Sequence, residues 1–318
     1  MTDPQTATTA IVVHFGSWEP TRRAVTALAA SQPPVTILVV DNGGREEDGD
    51  AGPGSAVRVL SDPAGRNLGY GGGCNLGAQS ARSSYLLFCN NDVEVRPDTV
   101  AALEEALRRD PRVAAAGPLL VDGQGRPTPS VGRAPTPRRI LFEGLFLPRI
   151  FVGVPFFDGH HTTAFRHGAP RDVETLLGAV VLVRREAFEA VGRFDERFAF
   201  YAEESDLFER LRRSGWRLRF EPRARALHHG GLASRSIPQS ELDRHLHEGL
   251  ALFARLHHGA KGERRARRAL RFGARLRWLL SFVEPGSRRA ARRRRYADLL
   301  TLYKRSCDEG GLAPSPRG

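Results

Sequence analysis

Three carboxylate-bearing positions in this chain stand where chemistry could be done. Asp41 closes an apolar run over residues 35–40, and Asp92 follows Tyr85-Leu86-Leu87-Phe88-Cys89 after two amides, Asn90 and Asn91. Further on, Glu203-Glu204-Ser205-Asp206 opens a segment with Leu207, Phe208 and Leu211 at helical spacing. Short apolar runs bounded by polar residues read as buried strands, and open α/β sheets bind ligands beyond the carboxyl ends of their strands. A carboxylate held there can take a hard divalent cation, which in turn would hold a diphosphate. A glutamate at a helix start can serve as a general base. Each position alone also has a structural reading, since Asp and Asn end strands and acidic residues favour helix N-termini through the macrodipole.

Between the first two carboxylates lies Asn67-Leu68-Gly69-Tyr70-Gly71-Gly72-Gly73-Cys74-Asn75-Leu76-Gly77, a glycine cluster opening a helix. Glycine lets backbone N–H groups approach a phosphate or sugar closely. The spacing is not G-x-G-x-x-G, and the chain has no G-x-x-x-x-G-K-[ST], so the dinucleotide and P-loop readings lose their main support.

The elements that must position these residues alternate. Residues 10–15 read as a strand, 20–31 as a helix with Pro20 in its first turn, 35–40 as a strand and 57–60 as a short third strand after a Gly- and acid-rich loop. A helix over 71–82, the strand at Tyr85, a helix over 97–109 and a strand over 113–116 follow. From 117 to 172 the pattern breaks into Pro, Gly and Arg around an apolar patch at 140–157. Regularity resumes with a strand over 175–183, helices over 185–191 and 203–214, and brief extended pieces at 218–220 and 224–227 leading to His228-His229. Strands alternating with helices imply an α/β fold with a mostly parallel sheet. Beyond Ser240, the spacing of Leu242, Leu246, Leu250, Phe253 and Leu256 predicts an amphipathic helix, with His245, His247, His257 and His258 on its solvent face and end.

Cys74, Cys89 and Cys307 are odd in number and widely separated, which indicates neither a disulfide framework nor a zinc ribbon and suits a reducing cytoplasm. The polar first ten residues carry no basic n-region, so no secretory signal is expected. No apolar run approaches the roughly 20 residues of a membrane-spanning helix. Residues 261–295 hold fourteen Lys or Arg against two Glu, a net +12 equal to the formal charge of the whole chain. The basic character is therefore local, and the body is not a generic polyanion binder.

Taken in order, Val39-Val40-Asp41-Asn42, the 67–77 glycine segment, Phe88-Cys89-Asn90-Asn91-Asp92, Gly192-Arg193-Phe194-Asp195-Glu196-Arg197-Phe198 and Tyr201-Ala202-Glu203-Glu204-Ser205-Asp206 resemble the family 2 glycosyltransferases, with the bacterial rhamnosyltransferase-like and galactofuranosyltransferase-like members nearest. The match runs from about Ile11 to about Gly231, roughly seven tenths of the chain, and several motifs in order make it specific. The resemblance implies a GT-A fold over residues 1–232, with 118–172 a variable acceptor-side insertion and 233–318 a helical, Arg-rich extension. It also implies a nucleotide-sugar donor, inversion at the anomeric carbon, and a glycan or lipid-linked glycan acceptor of the cell envelope. The donors it suggests are dTDP-rhamnose or a UDP-sugar.

Carried over residue by residue, the resemblance assigns Asp41 to the donor base, with Phe15 close to it. Asn67, Gly69 and Asn75 would line the nucleotide and sugar site. Asn90-Asn91-Asp92 stands in the place of the family's Asp-x-Asp, with Asn90 near the ribose and Asp92 on Mn²⁺ or Mg²⁺. Asn90 departs from that motif by removing one negative charge near the metal. Glu204 matches the base, while Gly178, Glu203 and Asp206 fall on the acceptor side, the latter two orienting acceptor or capping the helix. Adjacent glutamates cannot point the same way on a helix, so only one faces the site. His228 matches a metal-binding His of some members and also has an ordinary structural reading; as a ligand it would favour Mn²⁺, since imidazole suits softer ions than Mg²⁺.

The patch at 140–157 reads either as a hydrophobic loop core or as a surface facing a lipid-linked substrate. The 261–295 segment reads as a solvated helix face, a nucleic-acid patch or an anchor on an anionic membrane. Leu276, Trp278, Leu279, Leu280, Phe282 and Val283 among the arginines favour the last, placing the protein peripherally at the inner face of the cell membrane. Two other functions share such a fold: a noncatalytic sugar- or nucleic-acid-binding protein, and a sugar-nucleotidyltransferase. Retention of Asp92 and Glu204 argues against the first, and the lack of a basic Gly-rich loop at His14-Phe15-Gly16-Ser17-Trp18-Glu19 argues against the second.

Overall fold

A computed structural model describes residues 7–43, 57–160, 168–230, 237–282 and 289–308. The acid-rich loop after Gly43, Gly231 and Val283 lie outside the described residues. The chain runs β1 (Thr8–His14), α1 (Trp18–Ala29), β2 (Thr36–Asp41), β3 (Val57–Ser61), α2 (Gly69–Ser80), β4 (Tyr85–Asn90), β5 (Val93–Val95), α3 (Thr99–Arg109) and β6 (Val113–Val121). It continues with β7 (Val131–Gly132), α4 (Pro137–Gly144), α5 (Leu147–Ile150), β8 (Arg171–Val173), β9 (Thr175–Leu176), β10 (Val180–Arg184), α6 (Arg185–Ala190), α7 (Glu203–Arg213), β11 (Arg217–His228), α8 (Gln239–Leu280) and α9 (Arg289–Asp308).

Nine strands form one sheet in the order β3-β2-β1-β4-β10-β6-β11-β5, with β8 on β11 beside β5. β1, β2, β3 and β4 are parallel. β10 then enters antiparallel between β4 and β6. Two antiparallel steps restore direction, so β6 and β11, parallel to each other, end at the same edge as β4. That edge is where the site residues collect.

Alternating strand residues face opposite layers. Ala10, Val12, Val39 and Leu87 pack under Trp18, Val25 and Leu28 of α1 and Leu103 and Leu107 of α3. Ile11, Val13, Leu86 and Phe88 meet Cys74 and Ala78 of α2, Phe188 of α6 and Leu207, Phe208 and Leu211 of α7. The glycines of α2 serve this second layer: a Cβ on Gly77 would lie 2.5 Å from Ile11 Cγ2, and one on Gly73 would lie 3.0 Å from Val13 Cγ1. Their function is close helix–sheet approach, not only an open loop.

Several elements differ from expectation. The run over 175–183 is two strands, because β9 leaves to pair with β7 and Leu177 N–H bonds to Ser130 O. The two pieces at 218–220 and 224–227 are one strand, β11, interrupted in register between Glu221 and Arg225 around Pro222, as expected where proline cannot donate to a ladder. The Pro-rich stretch after 117 contains α4, with Thr136 as N-cap accepting from Arg139 N–H and Pro137 in its first turn.

Of the four histidines expected on the solvent face and end of the helix, His258 is exposed, but His257 and His247 make contacts inside the protein. His257 Nε2 bonds Asp206 Oδ1 at 2.8 Å, and His247 Nδ1 bonds the Tyr303 hydroxyl across α8 and α9. Burial pushes the His247 imidazole down to about 4, which keeps it neutral. α8 bends at Gly259, whose φ is 67°. Its apolar side joins Ile140 of α4 and Leu299 and Tyr303 of α9 in one cluster, while Phe253 packs with Ala134, Phe198 and Ala202 in another.

Candidate active site

At the carboxyl edge, Asn42 N–H donates to His14 O at 3.0 Å. Asp41, partly exposed, accepts Gly43 N–H on Oδ1 at 2.9 Å. Asn42 is buried and spans the entry to α2, donating to Gly69 O at 2.8 Å and accepting from Leu68 N–H at 3.3 Å. Asn67 accepts Gly69 N–H at 2.8 Å, and Gly69 adopts φ +68° with Ala199 O close to its α-carbon, a turn suited to glycine. Asp41, Asn67 and Gly69 thus sit at one loop cluster, with Asn42 as the fastening residue that sequence reasoning passed over although it adjoins Asp41.

Two of the predicted amides have their hydrogen bonds committed within the protein. Asn75 donates to Phe194 O at 3.0 Å and to Glu196 Oε1 at 3.1 Å, and accepts Phe194 N–H at 3.1 Å. It clasps the 192–198 turn. Asn91 donates to Phe15 O at 3.3 Å and to Thr21 Oγ1 at 3.4 Å, tying the end of β4 to the end of β1. Phe15 is partly buried beside this tie. Asn90, by contrast, is partly exposed at the strand end, its N–H bonded to Ala179 O at 2.8 Å.

Asp92 is buried at 3 % exposure, and His228 Nε2 lies 3.5 Å from its Oδ1. This approach follows from register: β11 runs antiparallel to β5 with His228 opposite Val93, and His229 N–H bonds Asp92 O at 3.0 Å. His229 turns away, its Nε2 2.7 Å from Glu94 Oε1. A carboxylate oxygen and an imidazole nitrogen are donors that could contribute to holding a divalent cation. Among the described residues no group of three or more His, Cys, Asp or Glu converges, so this pair would leave the other coordination positions to donor oxygens and water.

On the other flank, Gly178 is a crossing point. Its carbonyl accepts the Tyr70 hydroxyl at 3.0 Å, and a Cβ on it would lie 3.3 Å from Glu204 Cγ. Gly178 precedes Ala179, which holds Asn90, so Glu204 and Asp92 flank the same end of β4. The adjacent glutamates diverge: Glu204 is half-buried over Gly178, whereas Glu203 is buried with Oε2 lacking a hydrogen-bond partner. Burial and then the Glu204 charge hold the Glu203 carboxyl well above the usual carboxylate range, favouring its neutral form. Burial likewise pushes the Cys74 thiol up, leaving it unreactive. Asp206 is committed to Arg210 Nε at 2.8 Å and to His257, joining α7 to α8.

The backbone entering α7 is strained. Tyr201 and Ala202 have φ of 70° and 69°, left-handed values that cost roughly 1–2 kcal/mol per non-glycine residue. Such outliers cluster where geometry is imposed for function. α8 supplies the constraint, since a Cβ on Gly249 would stand 2.6 Å from Tyr201 O.

The mixed parallel and antiparallel sheet flanked by helices is the GT-A architecture of glycosyltransferases. Residues 9–173 match the sequence profile of Glycosyl transferase family 2, and the chain belongs to that family. It is 33% identical over 281 residues to the N-acetylglucosaminyl-diphospho-decaprenol L-rhamnosyltransferase of Mycobacterium tuberculosis, covering 83% of this chain and 89% of that one. By structure it is similar to the mannosyltransferase PcManGT from Pyrobaculum calidifontis in complex with GDP-Man and Mn2+, at TM-score 0.54 and 14% identity, covering 94% of this chain and 82% of that one. GalNAc-T7 with UDP, GalNAc and Mn2+ is similar at TM-score 0.54 and 15% identity, over 79% of this chain and 48% of that one.

Proposed function

We propose that this protein transfers a sugar, with inversion, from a nucleoside-diphosphate sugar to a hydroxyl of a lipid-linked glycan acceptor, with dTDP-rhamnose as donor. What supports the reaction class is that Glu204 packs on Gly178, whose neighbour Ala179 accepts Asn90 N–H two residues before Asp92, where His228 Nε2 lies 3.5 Å away. The mycobacterial relative's name supports the sugar and the polyprenyl acceptor.

On this reading Glu204, set by Gly178, takes the proton of the acceptor hydroxyl as its oxygen attacks the anomeric carbon. Asp92 and His228 would hold a divalent cation, which when bound supplies charge neutralisation at the departing diphosphate. Asp41 and the Asn67–Gly69 turn receive the base and nucleoside, while Asn75 and Asn91 keep the surrounding loops in place. Neutral Glu203 adds no second negative charge beside Glu204, and Asp206 orients the helix that carries both. Among the described residues no helix is long and apolar enough to cross a membrane; the reading is of a peripheral enzyme reaching its lipid-linked acceptor at the inner membrane face through its basic C-terminal region.

The test is transfer of radiolabelled sugar from a panel of nucleotide sugars to an N-acetylglucosaminyl-diphospho-polyprenol, with lipid extraction of product. Transfer from dTDP-rhamnose, lost in Glu204→Gln and Asp92→Asn, is the expected result. Neither transfer nor hydrolysis with any donor would overturn the proposal.

A further inference from the structure

Among the described residues, two exposed apolar surfaces emerge from one point. α4 crosses α8 at Gly144 and Gly273, so closely that a Cβ on Gly273 would lie 2.9 Å from Gly144 Cα. Arg277 locks the crossing, donating to Glu143 O at 3.0 Å and stacking over the Phe146 ring at 4.6 Å. The chain beyond Gly144 forms an arm in which Ile150 is 65%, Val152 62% and Phe156 58% exposed. The chain beyond Gly273 ends α8 with Leu279 57% exposed and Phe282 39% exposed. The arm is built: Phe151 stacks on Phe157 at 4.4 Å, and Phe157 meets Phe142 at 5.7 Å. Its outward residues are therefore presented on a packed aromatic base.

Charge distinguishes among occupants. Residues 144–157 include one Arg and no acidic residue, and residues 264–282 include seven Arg and no acidic residue. Arg138 lies over the Phe156 ring at 5.2 Å and Arg293 over the Phe282 ring at 5.1 Å, so cations rim both apolar surfaces. Within this part of α8, Ala266, Ala269, Leu270 and Ala274 are buried in the α4–α8–α9 cluster, while Phe272, Leu279 and Leu280 are exposed. Apolar tips inside a cationic rim suit an anionic bilayer, where the tips enter the acyl boundary and the arginines meet headgroups.

We propose that the α4–α5 arm and the end of α8 together form a bilayer-docking face that inserts Ile150, Val152, Phe156 and Leu279 into an anionic membrane. This extends the lipid-linked-acceptor reading above by naming the surface that brings the enzyme to its substrate's phase. Basic attraction alone would be released by salt; insertion would not.

The test uses the full chain and vesicles of phosphatidylcholine with or without about 30% phosphatidylglycerol, a composition chosen for its negative surface potential. Expected are cosedimentation with the anionic vesicles that persists in part at about 0.5 M salt, where exposed charge is screened, and a blue shift of Trp278 emission that disappears in Trp278→Phe. The triple variant Ile150→Ser, Val152→Ser, Phe156→Ser should bind the same vesicles at least about tenfold more weakly, with the remainder released by salt. All three positions are exposed, and an unchanged circular dichroism spectrum and transfer to a short-chain acceptor in solution certify the folded enzyme. Wild-type binding that the triple variant retains in full, capture by a partner protein in place of vesicles, or no vesicle binding at all would overturn the docking face. Transfer without docking leaves the proposed function standing, and docking without transfer removes that function alone.

Discussion

Glu204 lies across Gly178, with the glutamate Cβ and Cγ 3.4 and 3.3 Å from the position a Gly178 β-carbon would take. A methyl group there forces the glutamate to give by a few tenths of an ångström. On the proposed reading of Glu204 as the general base, Gly178→Ala should therefore lower kcat about tenfold, because positioning errors act on such a base directly, while the KM for donor holds. Glu204→Gln should cost about 10²–10⁴ in kcat. Steady-state kinetics of the two variants check this, and a Gly178→Ala enzyme with wild-type kcat would free Glu204 from that contact.

The Asp92–His228 pair predicts a metal response that separates the two residues. After chelation and readdition of Mn²⁺, His228→Ala should retain activity but require roughly tenfold or more metal for half-saturation, the scale on which even supporting residues tune metal affinity. Asp92→Asn should lose metal-stimulated activity throughout the titration. A His228→Ala curve superimposed on wild type would remove the imidazole from the site.

Glu203 predicts a pH dependence of stability. Its carboxyl is raised in the folded protein by burial and by Glu204, so between the unfolded value near 4.3 and the raised folded value the unfolded chain binds fewer protons. Unfolding free energy then falls as pH rises, by at most about 1.4 kcal/mol per pH unit from this group. Glu203→Gln mimics the neutral acid and should raise the melting temperature more at pH 8 than at pH 5. Equal shifts at both pH values would show Glu203 ionised in the fold.

Gly249 predicts a remote effect on the site. Its missing side chain admits Tyr201 O, and an alanine there would meet that backbone oxygen at 2.6 Å. Gly249→Ala should cost about 1–3 kcal/mol, as overpacking does, visible as a melting temperature lower by several degrees. It should also depress kcat more than KM, since Tyr201 and Ala202 lead into Glu203 and Glu204. Loss of stability with kcat intact would make the contact purely structural.

Much of the fold is readable from apolar runs. β1, β2 and β4 are buried on both faces and so appear as continuous Val, Ile and Leu stretches ending on polar residues. β11 is harder to read because Pro222 splits it, and the break between β9 and β10 is invisible because Leu177-Gly178-Ala179 is as apolar as a strand. Within the site, Asp92, His228, Gly178 and Glu204 come together at one edge. Asn75 and Asn91 illustrate what composition cannot show: their letter does not reveal that Asn75 clasps the 192–198 turn and Asn91 ties the end of β4 to the residue after β1. His257 and Gly249 had no local signal, because their counterparts, Asp206 and Tyr201, are more than forty residues away in the chain.

The insertion of β10 between β4 and β6 has a consequence for how this enzyme can diversify. The chain leaves β6 and returns through the adjacent strand β10, with Leu182 opposite Ala116, and the segment between them rejoins the sheet at β8 on β11, so its two ends are riveted side by side in the middle of the sheet. On the proposed reading, residues 122–177 form an interchangeable cartridge for acceptor and membrane. Its exchange would leave Asp41 at the end of β2, Asp92 in the turn between β4 and β5, and His228 at the end of β11, and a new glycan specificity could be acquired without rebuilding the donor side.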